Sequence, residues 1–312
     1  MLIGSKLPPD HVDRTFFSSG RAAFSYLVGQ VVKPRKVYLP TFTCWSLVAA
    51  MERRFPEITL EFYPVARDLT CQYPKYVDKG DLLVFIHYFG YENKTPLPEC
   101  EGTLLEDWSH SYLSQISHSR HYVFGSYRKI MKVVDGGFIN HYFNPIYEKS
   151  RKLDSWLRLA SKDWRDVREA ENMIDRDWQI ADISSQSLAI LLSANDDLIR
   201  QRRQKNEAFL KAGLKIGSPL IEYRPQECPL LHNRLLSSQE ERDSLRAYLA
   251  AKGVFTSIQW PTHPTVKRLS CDIADTVWLE AHILSIPVSH DYGLNDMEYI
   301  VRCTDAWLRC GK

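Results

Sequence analysis

Short apolar runs alternate with helical patterns through the first half of the chain. Several of these runs are bounded by Pro or Gly, which is typical of strands. Strands are predicted at residues 37–40, 60–64, 82–88, 103–107, 122–126 and 138–141, and helices at residues 20–30 and 43–53. Strands that alternate with helices indicate a largely parallel sheet covered on both faces, with ligands bound beyond the carboxyl ends of the strands.

The pattern becomes helical from about residue 144 to residue 212, and residues 184–210 are predicted to form one long helix or two consecutive helices. A smaller α/β pattern follows. Its strands are predicted at residues 229–236, 254–259 and 284–288, and its helices at residues 238–251, 272–283 and 295–309. A chain of 312 residues suits one large and one smaller unit, so we predict a large domain at 1–212 and a small domain at 213–312.

The composition argues against several classes of protein. The chain has 40 basic and 38 acidic side chains, a net charge of +2, so no long-range field favours nucleic acid or an anionic membrane as a partner. The segment MLIGSKLPPDHVDR has no basic flank followed by an apolar run, and no apolar stretch reaches the roughly 20 residues that span a bilayer. We therefore expect a soluble, cytoplasmic protein.

The cysteines and histidines do not indicate a metal site. Seven cysteines form an odd set without a CxxC pair, which favours neither a disulfide framework nor a zinc ribbon. The ten histidines show no HxxxH-type clustering with carboxylates. We expect no bound metal.

The most informative chemistry lies around Lys129. An apolar strand ending at Asp107 is followed by a second strand, then by Lys129, and six residues later by Asp135 and two glycines. A lysine usually forms a Schiff base with pyridoxal phosphate in this arrangement, because neighbouring positive charge and burial favour its neutral amine. The alternative is that residues 126–129 are only a basic loop after a strand.

Two further residues suit a pyridine ring. Asp107 can hydrogen-bond to the ring nitrogen and keep it protonated, which makes the ring an electron sink. It can equally cap a helix after the strand. His110 can contact the ring oxygen, or it can be a surface or capping histidine.

A phosphate site is predicted where the first helix begins, at residues 18–23. Free backbone amides and the helix dipole attract an anion there, and Gly20 and Ala22 permit close approach. Arg21 can add a charge-assisted bond. The alternative is an ordinary Ser-Ser-Gly helix cap.

Together these segments resemble the DegT family of pyridoxal-phosphate-dependent nucleotide-sugar aminotransferases, which have the aspartate-aminotransferase type I fold. The resemblance follows chain order and covers most of the chain. It rests on SSGRAAF, VYLPTFTCWSLVAAM, VFIHYFGY, LLEDWSHSY and SYRKIMKVVDGGFI, and more loosely on RQRRQKNEAFL, AAKGVFTSIQWPTHP and SIPVSH.

The resemblance implies a large, mixed, mostly parallel sheet domain and a smaller C-terminal α/β domain. It makes Lys129 the Schiff-base lysine and Asp107 the partner of the pyridine nitrogen, with His110 in a position that is usually glutamine. Gly20, Arg21 and Ser126 would bind phosphate, with Arg21 standing where the family has threonine.

Two positions depart from the family pattern. The aromatic residue that covers the ring is replaced by Cys44, which leaves Cys44, Trp45 and Tyr88 as candidates. The segment from which a neighbouring subunit reaches the phosphate aligns with residues 180–183, which include no asparagine, and Gln179 is a possible substitute.

The implied activity is transfer of an amino group, by resemblance from L-glutamate, to a keto group of a nucleotide-linked sugar destined for surface polysaccharide or an antibiotic. Such enzymes are homodimers. Candidates to line the acceptor site are Trp260, His263, His87 and Tyr88. A subunit interface would involve the helix-rich segment that contains Trp156, Trp164 and Trp178.

Two alternatives stay open on the same scaffold: a pyridoxal-phosphate-dependent lyase or dehydratase, and a binding protein without catalysis. Retention of Lys129 favours transamination over dehydration. A nicotinamide-binding protein is disfavoured because no GxGxxG follows a strand.

Overall fold

The computed structural model describes residues 14–116, 121–148, 176–270 and 272–310, together with the single positions 169 and 173. The strands are β1 (Thr15–Phe17), β2 (Lys36–Pro40), β3 (Thr59–Tyr63), β4 (Tyr76–Val77), β5 (Asp81–Ile86), β6 (Glu99–Cys100), β7 (Thr103–Asp107), β8 (Tyr122–Ser126), β9 (Gly137–Ile139), β10 (Ser218–Pro219), β11 (Leu231–Leu235) and β12 (Ile283–Pro287). The α-helices are α1 (Gly20–Tyr26, continued as a π-helix over Leu27–Val32), α2 (Trp45–Arg54), α3 (Ser185–Ser193), α4 (Asp196–Gly213), α5 (Gln239–Ala251), α6 (Pro264–Leu269), α7 (Ala274–His282) and α8 (Leu294–Arg309).

A seven-stranded sheet in the order β1-β9-β8-β7-β5-β2-β3 forms the larger layer. All its pairings are parallel except those of β9, which runs antiparallel to β1 and β8. The carboxyl ends of β2, β5, β7 and β8 therefore meet at one edge. The mixed, mostly parallel sheet predicted from the sequence is confirmed.

Strand β5 shows why the sheet is covered on both faces. All six of its residues, DLLVFI, are buried, which is expected of a central parallel strand under helices. On one face, α1 and α2 pack an apolar cluster against the sheet. Its fully buried members include Phe17, Phe24, Leu27, Val48, Leu82 and Leu105.

A second, antiparallel sheet in the order β10-β11-β12 follows α4. Its core contains Leu245, Leu284, Met297 and Trp307, contributed by β12 and the helices α5 and α8. The predicted division after residue 212 falls at the end of α4, and the two-domain assignment itself stays a prediction.

Side-chain caps divide the helical region after residue 184. Ser184 accepts a hydrogen bond from the backbone amide of Ser187 at the start of α3, and Asn195 accepts one from Leu198 at the start of α4. Ala194 between them has an extended backbone (φ −72°, ψ 144°). Of the two possibilities left by the sequence, two consecutive helices is correct.

The strand predicted at residues 254–259 is wrong. Only Ser257 pairs with the sheet, through a single bridge to Ser285, and Phe255 is 77% exposed. The chain leaves the small sheet here because Trp260 inserts into an aromatic cluster beside the large sheet. The short strands β1, β4, β6 and β10 and helix α6 were not predicted.

Part of the predicted helical segment, including Trp156 and Trp164, lies outside the described residues. Across the described ranges, no helix combines the length and apolarity needed to cross a bilayer.

Candidate functional site

Close backbone packing brings the start of α1 to the sheet edge. A Cβ atom on Gly137 would lie 2.2 Å from the carbonyl carbon and oxygen of Ser19, so any larger residue would push the helix away from β9. Gly125 of β8 is equally confined, because a Cβ there would lie 2.5 Å from the ring of Phe138. Gly137, the second glycine of the pair after the lysine, therefore allows the start of α1 to lie against β9.

The lysine segment is fixed on both sides. A 3₁₀ turn at Tyr127–Lys129 follows β8 directly, and the ring of Tyr127 is buried. Buried Asp135 accepts hydrogen bonds from the backbone amide (3.0 Å) and hydroxyl (2.7 Å) of Ser184. These bonds hold the loop that returns from Lys129 to β9.

The carboxyl edge of the sheet and the start of α1 enclose a cavity of about 120 Å³, here called the inner cavity. It opens into an outer cleft of about 530 Å³ that shares Arg21, Lys129 and Trp260 with it. The inner cavity is lined by Ser19, Gly20, Arg21, Cys44, Ser46, Leu47, Ile86, Asp107, Ser109, His110, Phe124, Ser126, Arg128, Lys129 and Trp260.

Asp107 ends β7 and lies buried at this cavity. Its Oδ1 accepts a hydrogen bond from the backbone amide of Ser109 at 2.7 Å. Burial raises the pKa of its carboxyl, and the bonds from Ser109 and the positive charge of Lys129 act in the opposite direction. A carboxylate held this way is suited to pair with a cationic ring nitrogen.

His110 forms one wall of the inner cavity in its neutral form. Burial and the charge of Lys129 lower the pKa of its imidazole to about 3. Its Nδ1 accepts a hydrogen bond from the amide of Phe89 at 3.2 Å, so the proton of the neutral ring sits on Nε2. His110 can therefore donate a hydrogen bond to a ligand oxygen.

Arg21 supplies positive charge at the helix start. It donates a hydrogen bond to the carbonyl of Asp177 at 2.8 Å, and its guanidinium lies 4.2 Å from the ring centroid of Trp178. Arg53 lies at 4.7 Å from the same ring. Trp178 thus positions the Arg21 guanidinium at the cavity.

The structure brings together most of the predicted cofactor residues, but not all. Lys129, Asp107, His110, Gly20, Arg21, Ser126 and Cys44 line the inner cavity, whereas Trp45 lines only the outer cleft. Tyr88 lies in the core and donates a hydrogen bond to the carbonyl of Phe42 at 2.7 Å. The backbone amide of Ala22 donates to Ser19 Oγ at 3.1 Å, as a helix cap requires.

The predicted acceptor residues also separate. Trp260 lines both the inner cavity and the outer cleft. His263 caps α6 and contacts Trp45, with ring centroids 4.7 Å apart. His87 lies elsewhere: its Nε2 is 2.9 Å from Glu106 Oε2, and both residues line a different cavity. Glu106 and Asp107 are adjacent in a strand, so their side chains leave opposite faces of the sheet.

Several residues that line the inner cavity had not been predicted there, among them Ser109 and Trp260. Ser109 follows Asp107 by two residues, a spacing at which a carboxylate often accepts a backbone amide, so this signal was available. Trp260, predicted only for the acceptor site, is separated from Asp107 by 153 positions, and no local pattern indicates that it lies beside His110. Within the described part of the chain, no group of three or more His, Cys, Asp or Glu is placed to hold a metal ion.

No protein-family model matches the sequence, and no curated protein matches it in sequence. Solved structures do match. The aminotransferase TlmJ from Streptoalloteichus hindustanus aligns over 96% of this chain and 86% of its own, at 13% identity and a TM-score of 0.66. A DegT DnrJ EryC1 StrS aminotransferase from Brucella abortus aligns over 94% and 85%, at 16% identity and a TM-score of 0.65.

A third match, a PLP-form structure of Spr1654 from Streptococcus pneumoniae, covers 93% of this chain and 86% of its own, at 14% identity and a TM-score of 0.62. The same protein was also solved in a PMP-form. The chain therefore has the fold of these aminotransferases, and the predicted fold class is confirmed.

Proposed function

We propose that this chain is a pyridoxal-phosphate-dependent aminotransferase that moves an amino group from L-glutamate to a keto group of a nucleotide-linked sugar. The single observation that carries the proposal is the convergence of Asp107, Lys129 and the start of α1 on one cavity at the carboxyl edge of the sheet. Fold alone does not determine function, so the argument rests on these side chains.

The side chains of the inner cavity fit this cofactor. Asp107 is a buried carboxylate without an ion pair to a permanent cation among the described residues, as a partner for a protonated ring nitrogen should be. The flat faces of His110 and Trp260 suit a planar ring. At the opposite end, Ser19, Gly20, Arg21 and Ser126 offer amide, hydroxyl and guanidinium donors for a phosphate.

When bound, pyridoxal phosphate supplies an aldehyde that condenses with amines and a protonated ring that accepts electrons from the substrate's α-carbon. Asp107 would hold the charge of the ring nitrogen. His110 would donate a hydrogen bond from Nε2 to the ring oxygen, because its Nδ1 accepts the amide of Phe89. Lys129 would hold the cofactor through its amine, and its free amine would serve as the base that takes the substrate's α-proton and as the acid that returns a proton.

The outer cleft offers room for a sugar acceptor. Three tryptophans line it, Trp45, Trp178 and Trp260, and aromatic faces are suited to the apolar faces of sugar rings. Arg21 and Arg128 at the same cleft suit anionic groups of a nucleotide-linked sugar. We further propose that the enzyme is a cytoplasmic homodimer in surface-polysaccharide synthesis, with Gln179 reaching the partner's phosphate site.

The test is covalent capture of the cofactor. The purified protein is incubated with pyridoxal phosphate, reduced with borohydride, digested and analysed by mass spectrometry. We expect the label on the peptide that contains Lys129, no label in Lys129→Ala, and full labelling in Lys75→Ala, which removes an exposed lysine remote from the cavity. Label on another lysine, or none, contradicts the assignment.

The donor and the reaction are tested by a single turnover. Protein loaded with pyridoxal phosphate is mixed with L-glutamate, and we expect close to one equivalent of 2-oxoglutarate per site. A protein that binds pyridoxal phosphate but releases no 2-oxoglutarate from glutamate, and no keto acid from any other amino acid, would instead be a binding protein.

A further inference from the structure

A second cavity adjoins both the inner cavity and the outer cleft, and it shares Gln259 with the cleft. It measures about 520 Å³ and meets the inner cavity at Arg128 and Lys129, and it is called the second arm here. Its walls come from the loop after β8, from α4, from the start of β11 and from the loop after β12. The residues that the argument uses are Arg128, Lys129, Lys132, Arg203, Ser289 and Asp291.

The charge of the second arm is strongly one-sided. Four of its lining residues are cations, Arg128, Lys129, Lys132 and Arg203, and one is an acid, Asp291. The carboxylate of Asp291 accepts a hydrogen bond from Ser289 Oγ at 3.2 Å and lies 4.0 Å from His290 Nε2. Burial lowers the pKa of His290, which favours its neutral form. The arm therefore has a positive potential.

Arg203 is the most unusual of these cations because its side chain is only 3% exposed. Its guanidinium donates to the carbonyls of Pro229 (3.2 Å), Leu230 (3.0 Å) and Ile130 (3.2 Å). These neutral acceptors satisfy hydrogen bonds without cancelling the charge. Nε has no hydrogen-bond partner, and no ion pair to Arg203 is present among the described residues.

Burial lowers the pKa of Arg203 and the charge of Asp291 acts in the opposite direction, so this cation is only partly compensated. An anion bound nearby would recover part of the remaining cost of burial. Lys132 is exposed at the same arm and can contact such an anion directly. Lys129, the proposed Schiff-base lysine, stands where the second arm meets the inner cavity. An amino donor whose amine replaces that of Lys129 on the cofactor would therefore be placed to extend an anionic group into the second arm.

We propose that the second arm is an oxyanion subsite that binds a carboxylate of the amino donor, with Lys132 as the contacting cation and Arg203 as the buried source of potential. The assignment of the ligand to the amino donor rests on the proposed function. A phosphate offers the same chemistry, so the test includes both anions.

The experiment measures binding rather than turnover. Protein is first saturated with pyridoxal phosphate to fill the inner cavity, and calorimetric titrations follow with glutarate, a dicarboxylate without an amine, and with inorganic phosphate. We expect Lys132→Gln to weaken glutarate binding roughly tenfold, as loss of a charge-assisted bond should. Asp291→Asn should strengthen it severalfold. Lys75→Gln, an equal charge change at an exposed site outside the cavities, should leave it unchanged.

Weaker glutarate binding in Lys132→Gln together with stronger binding in Asp291→Asn supports the subsite. If these opposite changes in affinity occur with phosphate rather than glutarate, the subsite binds a phosphate group. Unchanged affinity in both variants, or no binding of either anion to the unmodified protein, overturns it. Because no step of the assay needs transamination, a protein that binds glutarate with these shifts but fails the single-turnover test retains the subsite and loses the proposed function.

Discussion

The rings of His110 and Trp260 stack with their centroids 5.2 Å apart and their planes inclined by 19°. His110 follows a strand of the large sheet, whereas Trp260 arrives from the segment after α5. Phe89 stacks on both, at 5.5 Å from His110 and 5.8 Å from Trp260. The aromatic wall of the inner cavity is thus formed by His110 and Trp260 from two parts of the chain, and buried Phe89 supports it from behind.

This arrangement predicts which aromatic residue covers the cofactor ring. Trp260→Ala should raise the Kd for pyridoxal phosphate by roughly tenfold or more, because a stacking partner contributes about 0.5–1.5 kcal/mol beyond its buried area. Trp45→Ala should change it less than twofold, since Trp45 is 45% exposed and lines only the outer cleft. Fluorescence titration of the cofactor-free variants measures both values. A larger loss of affinity in Trp45→Ala than in Trp260→Ala would show that Trp45 is the residue that covers the cofactor ring.

The buried imidazole of His110 predicts a defined acid sensitivity. Its folded-state pKa of about 3 lies below the ordinary value, so between pH 6.5 and 3 the unfolded chain binds a proton that the folded chain does not. This contribution to stability is complete above pH 6.5 and is lost as the pH falls, by about 1.4 kcal/mol per unit. His110→Phe keeps an aromatic ring and removes the titration.

Urea denaturation of the cofactor-free protein at several values from pH 8 to pH 4.5 measures this slope. Below pH 6 the slope of unfolding free energy against pH should be smaller in His110→Phe by about one proton. Above pH 7.5 the two curves should run parallel, because the hydrogen bond lost at Phe89 has a cost that does not depend on pH. Parallel curves throughout would mean that His110 titrates normally.

The buried carboxylate of Asp107 is expected to lower the stability of the cofactor-free protein while it supports activity. Burial raises the pKa of its carboxyl, so the ionised form costs the folded state free energy, and this cost grows as the pH rises through that pKa. Asp107→Asn keeps an acceptor for the Ser109 amide and removes the charge. The cofactor-free variant should melt at least about 2 °C higher, while its transamination falls at least about a hundredfold.

Asp272→Asn is the matched control for this substitution. Asp272 accepts the backbone amide of Ala274 at 3.4 Å, also two residues on, but it is exposed. Its melting temperature and activity should both stay close to those of the unmodified protein. Destabilisation by Asp107→Asn would show that the carboxylate stabilises the fold.

The sequence predicted the parts of the site that are close to strand ends. Asp107 and Lys129 stand next to apolar runs whose length and composition define strands, and β7 and β8 begin and end where the pattern predicted. Trp260 was predicted to line the acceptor site, and the structure places it at both the inner cavity and the outer cleft. Its insertion beside His110 depends on how the chain leaves the small sheet. That path is set by tertiary packing, which also turned residues 254–259 from a predicted strand into a single bridge.

Tyr88 is a residue that the sequence predicted for the site and that the structure places in the core instead. Its position after β5 made it a stacking candidate, but the short turn at Tyr88–Gly90 directs it into the core, where its hydroxyl binds the carbonyl of Phe42. Sequence spacing does not determine that direction, because Phe89 in the same turn adopts a left-handed backbone (φ 56°).

Substitution of Arg21 is expected to weaken the binding of pyridoxal phosphate but not the binding of pyridoxal, which has no phosphate. Its guanidinium lines the inner cavity at the start of α1, held by Trp178 and by the carbonyl of Asp177. Arg21→Ala should raise the Kd for pyridoxal phosphate by at least about tenfold, the effect of one charge-assisted hydrogen bond, and should change the Kd for pyridoxal less than twofold. Arg21→Lys should fall between, because an ammonium keeps the charge without the planar stack.

Arg53→Ala separates the phosphate contact from the stack itself. Arg53 lies 4.7 Å from the same Trp178 ring but is not among the residues that line the inner cavity, so its removal takes one cation from the ring and none from the phosphate. Its Kd for pyridoxal phosphate should stay within about twofold of the unmodified value. If Arg21→Ala loses affinity equally for pyridoxal phosphate and pyridoxal, Arg21 maintains the shape of the cavity. If it loses affinity for neither, the amides of α1 and Ser126 are the phosphate donors.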